Sequence, residues 1–122
     1  MKLADYDRDG FASEFLVQVG TLPCGKRQFS AVGVTTSNPH LHALSSTAHP
    51  DTALTMPLSA WRALLKSSGP TAITTWPCGD HGADIRRELV VSANGGAIRV
   101  EEQEYSCPAE GEPEKLVKKR DE

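Results

Sequence analysis

Apolar residues recur at every second position in the N-terminal third of the chain, a period that predicts a β-hairpin. Phe15, Val17 and Val19 form the first alternating run, which is typical of a half-buried strand. A second run follows between residues 26 and 36, after a short turn. A further extended stretch near residues 41–44 indicates a short edge strand.

A second hairpin is predicted around Asn94-Gly95-Gly96. Asn and Gly accept positive φ, so this tripeptide makes a strong turn between alternating strands at 84–93 and 97–105. The β-branched stretch Thr71–Trp76 precedes this hairpin and adds another strand.

One segment between the hairpins has a helical period. Pro57 suits a first helical turn, and Gly69-Pro70 stops the run. The residues on its apolar face are Leu58, Trp61, Leu64 and Leu65. We therefore predict an α+β fold, in which an antiparallel sheet of about five short strands carries one amphipathic helix at about 57–68.

Composition predicts three segments around a single core. Residues 1–12 are polar, residues 13–107 carry the predicted strands and helix, and residues 108–122 form a charged tail that we expect to be disordered. The length of 122 residues and the 39% hydrophobic content suit one small domain. The net charge of −3 is spread evenly, which argues against nucleic acid as a partner.

The location expected from the sequence is the cytoplasm. The N-terminal residues lack the apolar stretch of a signal peptide, and no apolar run approaches the ~18 residues of a membrane span. The cysteine count of 3 is odd, which fits poorly with a disulfide-stapled secreted module.

Two similar turns suggest a zinc site. Residues 21–25 and 75–79 both contain Thr, Pro, Cys and Gly, and a Cys-Gly turn after a strand is typical of the knuckles that hold zinc. The paired C-x₂-C spacing of most zinc sites is missing, so two turns with buried thiols are the alternative. The candidate ligands are Cys24, Cys78, His81 and Cys107.

Two other chemistries are weaker hypotheses. Residues 5–10 (DYDRDG) resemble the opening of a calcium loop, but Leu16 stands where such a loop needs its last acid, so a solvated acidic N-terminus is favoured. Cys24 or Cys78 with His49 or His81 would suit nucleophilic catalysis, yet neither cysteine precedes a predicted helix that would activate its thiol.

An acidic group marks the second hairpin. Glu88, Glu101, Glu102 and Glu104 are expected to line one edge of the sheet. Charged residues on an exposed edge strand protect it from pairing with another chain, and we interpret the group in that way.

The long segment 37–55 has no period, and connections of this length are often functional. We predict a partner-binding surface that consists of His40, His42, His49, Trp76, Asp80 and His81. Because no catalytic motif or cofactor loop is found, the favoured function is a small non-enzymatic regulator or inhibitor of a larger protein. An accessory protein of a mobile element fits this profile. A zinc-stabilised adaptor and a cysteine-dependent enzyme are the alternatives, and structural zinc is the one cofactor considered.

Overall fold

A computed structural model of the chain describes residues 3–21, 26–35, 38–67, 69–76, 78, 85–107 and 115–122. Within these ranges, seven strands form two antiparallel sheets, and one short helix accompanies them. The α+β class with a single helix is confirmed, but the expectation of one sheet with about five strands is wrong. The difference arises because the C-terminal tail contributes a strand and the strands divide between two sheets.

The first sheet contains the predicted N-terminal hairpin. Its strands are β1 (Glu14–Thr21), β2 (Arg27–Gly33) and β3 (His42–Ala43), in that order, and β3 lies within the stretch expected to form an edge strand. Gly33 pairs with Glu14 at a close crossing, where a Cβ atom would lie 2.8 Å from the Cα atom of Glu14. Only glycine fits at this position without moving the backbone.

The second sheet has the order β4-β5-β6-β7. Its strands are β4 (Thr71–Trp76), β5 (Ile85–Asn94), β6 (Ala97–Ser106) and β7 (Lys115–Asp121). The predicted turn between β5 and β6 is confirmed, since Asn94 pairs with Ala97 and both intervening glycines have positive φ, 58° and 90°.

Strand β7 corrects two expectations about the charged residues. The tail was predicted to be disordered, but β7 pairs with β6, and the acidic side chains of β6 therefore do not lie on an edge strand. Lys119 lies 3.6 Å from Glu101, and Arg120 lies 3.0 Å from Glu102. Opposite charges on neighbouring strands attract, so the acidic strand is matched with a basic one.

The helix α1 (Leu58–Lys66) begins after Pro57 and contacts β2 of the first sheet and β4 and β5 of the second. Trp61 is fully buried, and its indole Nε1 donates a hydrogen bond of 2.9 Å to the carbonyl of Phe29. The other fully buried apolar residues around it include Met56, Leu64, Val91 and Ile98. Among the described residues, no helix is long and apolar enough to cross a membrane.

The N-terminal segment is part of the fold, so the expectation of a solvated acidic N-terminus is wrong. Tyr6 and Asp7 are buried, and the Tyr6 ring meets the Trp61 ring edge to face at 5.5 Å. Arg8 donates from Nε to the carbonyl of Leu64, at 2.9 Å, and from a terminal nitrogen to that of Leu65, at 3.0 Å. A cation at these last carbonyls stabilises the helix C-terminus.

Candidate functional site

A groove of about 430 Å³ lies between the segment 46–57 and the second sheet. Its volume falls within the range of ligand-binding clefts. The apolar residues that line it are Leu54, Met56, Trp76, Leu89 and Val100. Because Leu54, Met56, Leu89 and Val100 also belong to the core, the groove is the place where the interior of the protein opens to solvent.

Charged residues line the rim of the groove in matched pairs. Arg120, from β7, contacts Glu102 at 3.0 Å and Glu122 at 2.8 Å. Arg87, from β5, contacts Glu104 at 3.1 Å. Each guanidinium is paired with a carboxylate, so the rim offers both signs of charge without a strong excess of either.

The segment that forms one wall of the groove also has an open strand edge. Met56 exchanges two backbone hydrogen bonds with Phe29, both 2.9 Å long, so it pairs with the end of β2. Backbone groups of successive extended residues point to opposite sides, and the N–H and C=O of Thr55 therefore point away from β2. Thr55 lines the groove, and no described residue forms a backbone hydrogen bond with it.

Trp76 is held at the side of the groove by Lys26, which directly precedes β2. The ammonium group of Lys26 lies 3.9 Å from the centre of the indole ring and donates a hydrogen bond of 2.9 Å to the carbonyl of Thr75. A cation above the ring face stabilises the orientation of the indole. The side chain is half-buried, so part of it remains accessible from the groove.

The structure brings together two residues of the predicted partner-binding surface. His49 and Trp76 both line the groove. His40 and His42 do not line it, and a ring nitrogen of His42 lies 2.6 Å from the carbonyl oxygen of His40. Asp80 and His81 lie outside the described residues.

Two of the four predicted zinc ligands are joined to each other. Cys78 and Cys107 form a disulfide with a Cα–Cα distance of 5.7 Å, so it ties the end of β4 to the end of β6. In the disulfide neither sulfur is a thiolate, so neither can bind zinc or act as a nucleophile. Cys24 and His81 lie outside the described residues.

A cluster of carboxylates lies in the N-terminal loop. Each of the four residues Asp5, Asp7, Asp9 and Glu14 offers an oxygen atom within 4.8 Å of the others, an arrangement that could hold a metal ion. The DYDRDG pattern indicated the three aspartates but not Glu14, because Glu14 directly precedes the first alternating apolar run and was not expected to return a carboxylate to the loop. A spacing rule written for one type of calcium loop could not find it.

Backbone N–H groups also satisfy these carboxylates. Glu14 is fully buried, and its oxygens accept hydrogen bonds of 3.1 Å from the N–H groups of Tyr6 and Ser13. Asp5 accepts a hydrogen bond of 3.0 Å from the N–H of Gly10. Burial, followed by the nearby charge of Glu14, raises the pKa of Asp7 to about 8. Asp7 therefore holds a proton at neutral pH, which reduces the repulsion within the cluster.

Comparison with known proteins gives no relative for this chain. No protein-family model, curated protein sequence or solved structure matches it.

Proposed function

We propose that this chain is a non-enzymatic regulator or inhibitor that binds a larger protein, and that the groove holds an extended segment of that partner. The observation that carries the proposal is that His49 and Trp76 both line one cleft with an apolar floor. Tryptophan is the residue type most enriched among the energetic centres of protein interfaces.

The open edge at Thr55 supports an extended partner segment. A strand laid along it would form backbone hydrogen bonds, while alternate side chains would point towards the apolar floor. The paired charges on the rim, such as Arg120 with Glu102, could exchange partners with a polar segment of either sign. The groove thus offers backbone pairing, apolar burial and polar contacts together.

The experiment is a pull-down from native-host lysate at physiological salt, with the full chain as bait. Ala53 is exposed and lines the groove, so Ala53→Arg should block it without removing a core contact. Ala97→Arg, at the exposed β5–β6 turn, is the matched control. A stoichiometric protein that is captured by the wild type and the control, but not by Ala53→Arg, supports the proposal. Capture of no such protein, or equal capture by all three, contradicts it.

The second candidate function is a zinc-stabilised adaptor. Cys78 and Cys107 lie side by side, so reduction of their disulfide would give two adjacent thiols of the kind that hold zinc. Elemental analysis of the reduced protein, purified without an affinity metal, tests this function. Less than ~0.1 zinc per chain would rule it out, since a closed structural site holds its ion tightly.

The proposed location is the cytoplasm, as the sequence led us to expect. Glutathione and thioredoxin keep most thiols reduced there, so a cytoplasmic Cys78–Cys107 bond would be transient or regulated rather than permanent. Measurement of its oxidation state in rapidly acid-quenched host cells distinguishes these cases.

A further inference from the structure

One hydroxyl in the wall of the groove has no hydrogen-bond partner. Ser46 lines the groove and is only 3% exposed. Within the part of the chain that the structure describes, its side-chain oxygen forms no hydrogen bond. Every fully buried side-chain nitrogen or oxygen among these residues does have a partner. The Ser46 hydroxyl is therefore not sealed inside the protein, and it meets solvent where Ser46 borders the groove.

The backbone on both sides of Ser46 is held in place. The N–H of Leu44 donates a hydrogen bond of 2.8 Å to β2, and the N–H of Thr47 donates one of 2.9 Å to β6. The carbonyl of Ser46 accepts a hydrogen bond of 3.3 Å from the N–H of His49. The segment is thus tied to both sheets, so the fold determines the position of the hydroxyl before any occupant binds.

This hydroxyl restricts which side chains suit the groove. An occupant that covers the apolar floor also separates Ser46 from water, and it must supply a hydrogen bond in return because a buried unpaired hydroxyl costs free energy. A wholly apolar side chain supplies none. A Lys or Arg side chain would bring its charge against an apolar floor, where a hydroxyl alone cannot neutralise it. A small polar side chain would leave the floor uncovered.

We propose that the partner segment inserts a tyrosine into the groove and that its phenol hydroxyl pairs with Ser46. This inference rests on the proposed function. Tyrosine combines a hydroxyl at its tip with an apolar ring that covers a floor of Leu54, Met56, Leu89 and Val100. The serine and phenol hydroxyls can each donate and accept, so the pair forms in either direction. Ser46 is thus the residue that determines the specificity of the groove.

NMR titration of the isotope-labelled full chain tests the inference, with side-chain analogues as probes. The probes are para-cresol for tyrosine, toluene for phenylalanine and skatole for tryptophan. para-Cresol should shift the amide signals of Ser46, Leu89 and Val100. The ratio of para-cresol affinity to toluene affinity should fall at least ~5-fold in Ser46→Ala, because this variant loses the hydrogen bond to the phenol and no longer penalises toluene.

Ser45→Ala is the matched control. Ser45 is the neighbouring serine, is half-buried and does not line the groove, so its substitution should keep the wild-type ratio of affinities. Ser46→Ala should be at least as stable as the wild type, since its hydroxyl has no partner to lose within the described chain. Ala53→Arg, which blocks the groove, should abolish the shifts that all three probes cause.

The outcomes separate this inference from the proposed function. A ratio of affinities that Ser46→Ala leaves unchanged would overturn the inference, as would a loss of skatole affinity without a loss of para-cresol affinity in this variant. The proposed function would still stand if the pull-down captured a protein. If the ratio falls as expected but no protein is captured, the phenol site is supported and the protein-binding function is contradicted.

Discussion

The buried carboxylate of Glu14 accepts a 3.1 Å hydrogen bond from the backbone N–H of Tyr6 and thereby fastens the N-terminal loop to β1. The same side chain also accepts hydrogen bonds from the N–H and the hydroxyl of Ser13. One acid thus organises a turn that brings Tyr6 to the core and Arg8 to the end of α1. Sequence patterns alone gave no reason to assign this role to the first residue of a strand.

Glu14→Gln should lower the free energy of unfolding by about 1–3 kcal/mol. In the wild type both carboxylate oxygens accept hydrogen bonds from backbone N–H groups, whereas the glutamine N–H₂ group would place a donor against one of these donors. Urea denaturation measures the change. Glu101→Gln is the matched control, since it removes a partly exposed ion pair with Lys119 and should cost less than ~1 kcal/mol. Equal stability of wild type and Glu14→Gln would contradict the role given to Glu14.

The raised pKa of Asp7 should make the stability of the protein depend on pH. Its folded pKa is raised to about 8, so the folded state keeps a proton that the unfolded chain releases above about pH 4. The stabilisation from protonated Asp7 is fully present below pH 4 and is lost as the pH rises to 8. The wild type therefore loses stability over this range, whereas Asp7→Asn does not. The free energy of unfolding of Asp7→Asn, relative to that of the wild type, should rise by at least ~1 kcal/mol between pH 4 and pH 8 and by little more above pH 8.

Thermal or urea unfolding at a series of pH values, with EDTA present, measures this difference. Asp51→Asn is the control, because Asp51 is exposed and its substitution removes one carboxylate from outside the N-terminal loop. If the difference in stability between the wild type and Asp7→Asn does not vary with pH, or varies no more than that for Asp51→Asn, the proton is not held at Asp7.

Strand β7 should be the part of the second sheet that is most sensitive to salt. Leu116 and Val117 are 52% and 61% exposed, so its attachment depends on backbone pairing and on the charge pairs with Glu101 and Glu102. Salt screens exposed charges, and we expect amide protection in β7 to fall severalfold between ~50 mM and 1 M NaCl. Hydrogen exchange measures this protection, with the amide of Val91 in β5 as the internal reference. If protection in β7 changes with salt no more than protection at Val91, the charge pairs do not hold β7.

The Cys78–Cys107 disulfide should contribute about 2–4 kcal/mol to stability, since it closes a loop with a sequence separation of 29 residues. Unfolding with and without a reductant measures the contribution, and peptide mapping identifies the bond. Cys24→Ser is the control and should keep both the bond and its effect. If the reductant lowers the stability of Cys78→Ser as much as that of the wild type, the Cys78–Cys107 bond is not the source of the lost stability.

Local patterns predicted the elements that depend on local interactions. The turn at Asn94-Gly95-Gly96 and the helix after Pro57 each follow from backbone preferences within a few residues. Both were found where the sequence placed them, although α1 ends at Lys66 and not at residue 68.

The features that the sequence did not reveal depend on contacts between distant segments. β7 was taken as a disordered tail because its own composition is charged, and only its pairing with the acidic β6 makes it a strand. The groove could be expected only in part, through His49 and Trp76, since Arg87 and Arg120 reach it through the register of the second sheet. The disulfide likewise joins strands that are separated by β5.

The disulfide also has a mechanical consequence. It encloses the segment from Cys78 to Cys107, including the whole β5–β6 hairpin, in a covalent ring. If the protein is stretched from its two termini, force passes through the S–S bond and the residues inside the ring cannot extend. The oxidised chain should therefore reach a contour length roughly 100 Å shorter than the reduced chain, at ~3.5 Å per residue.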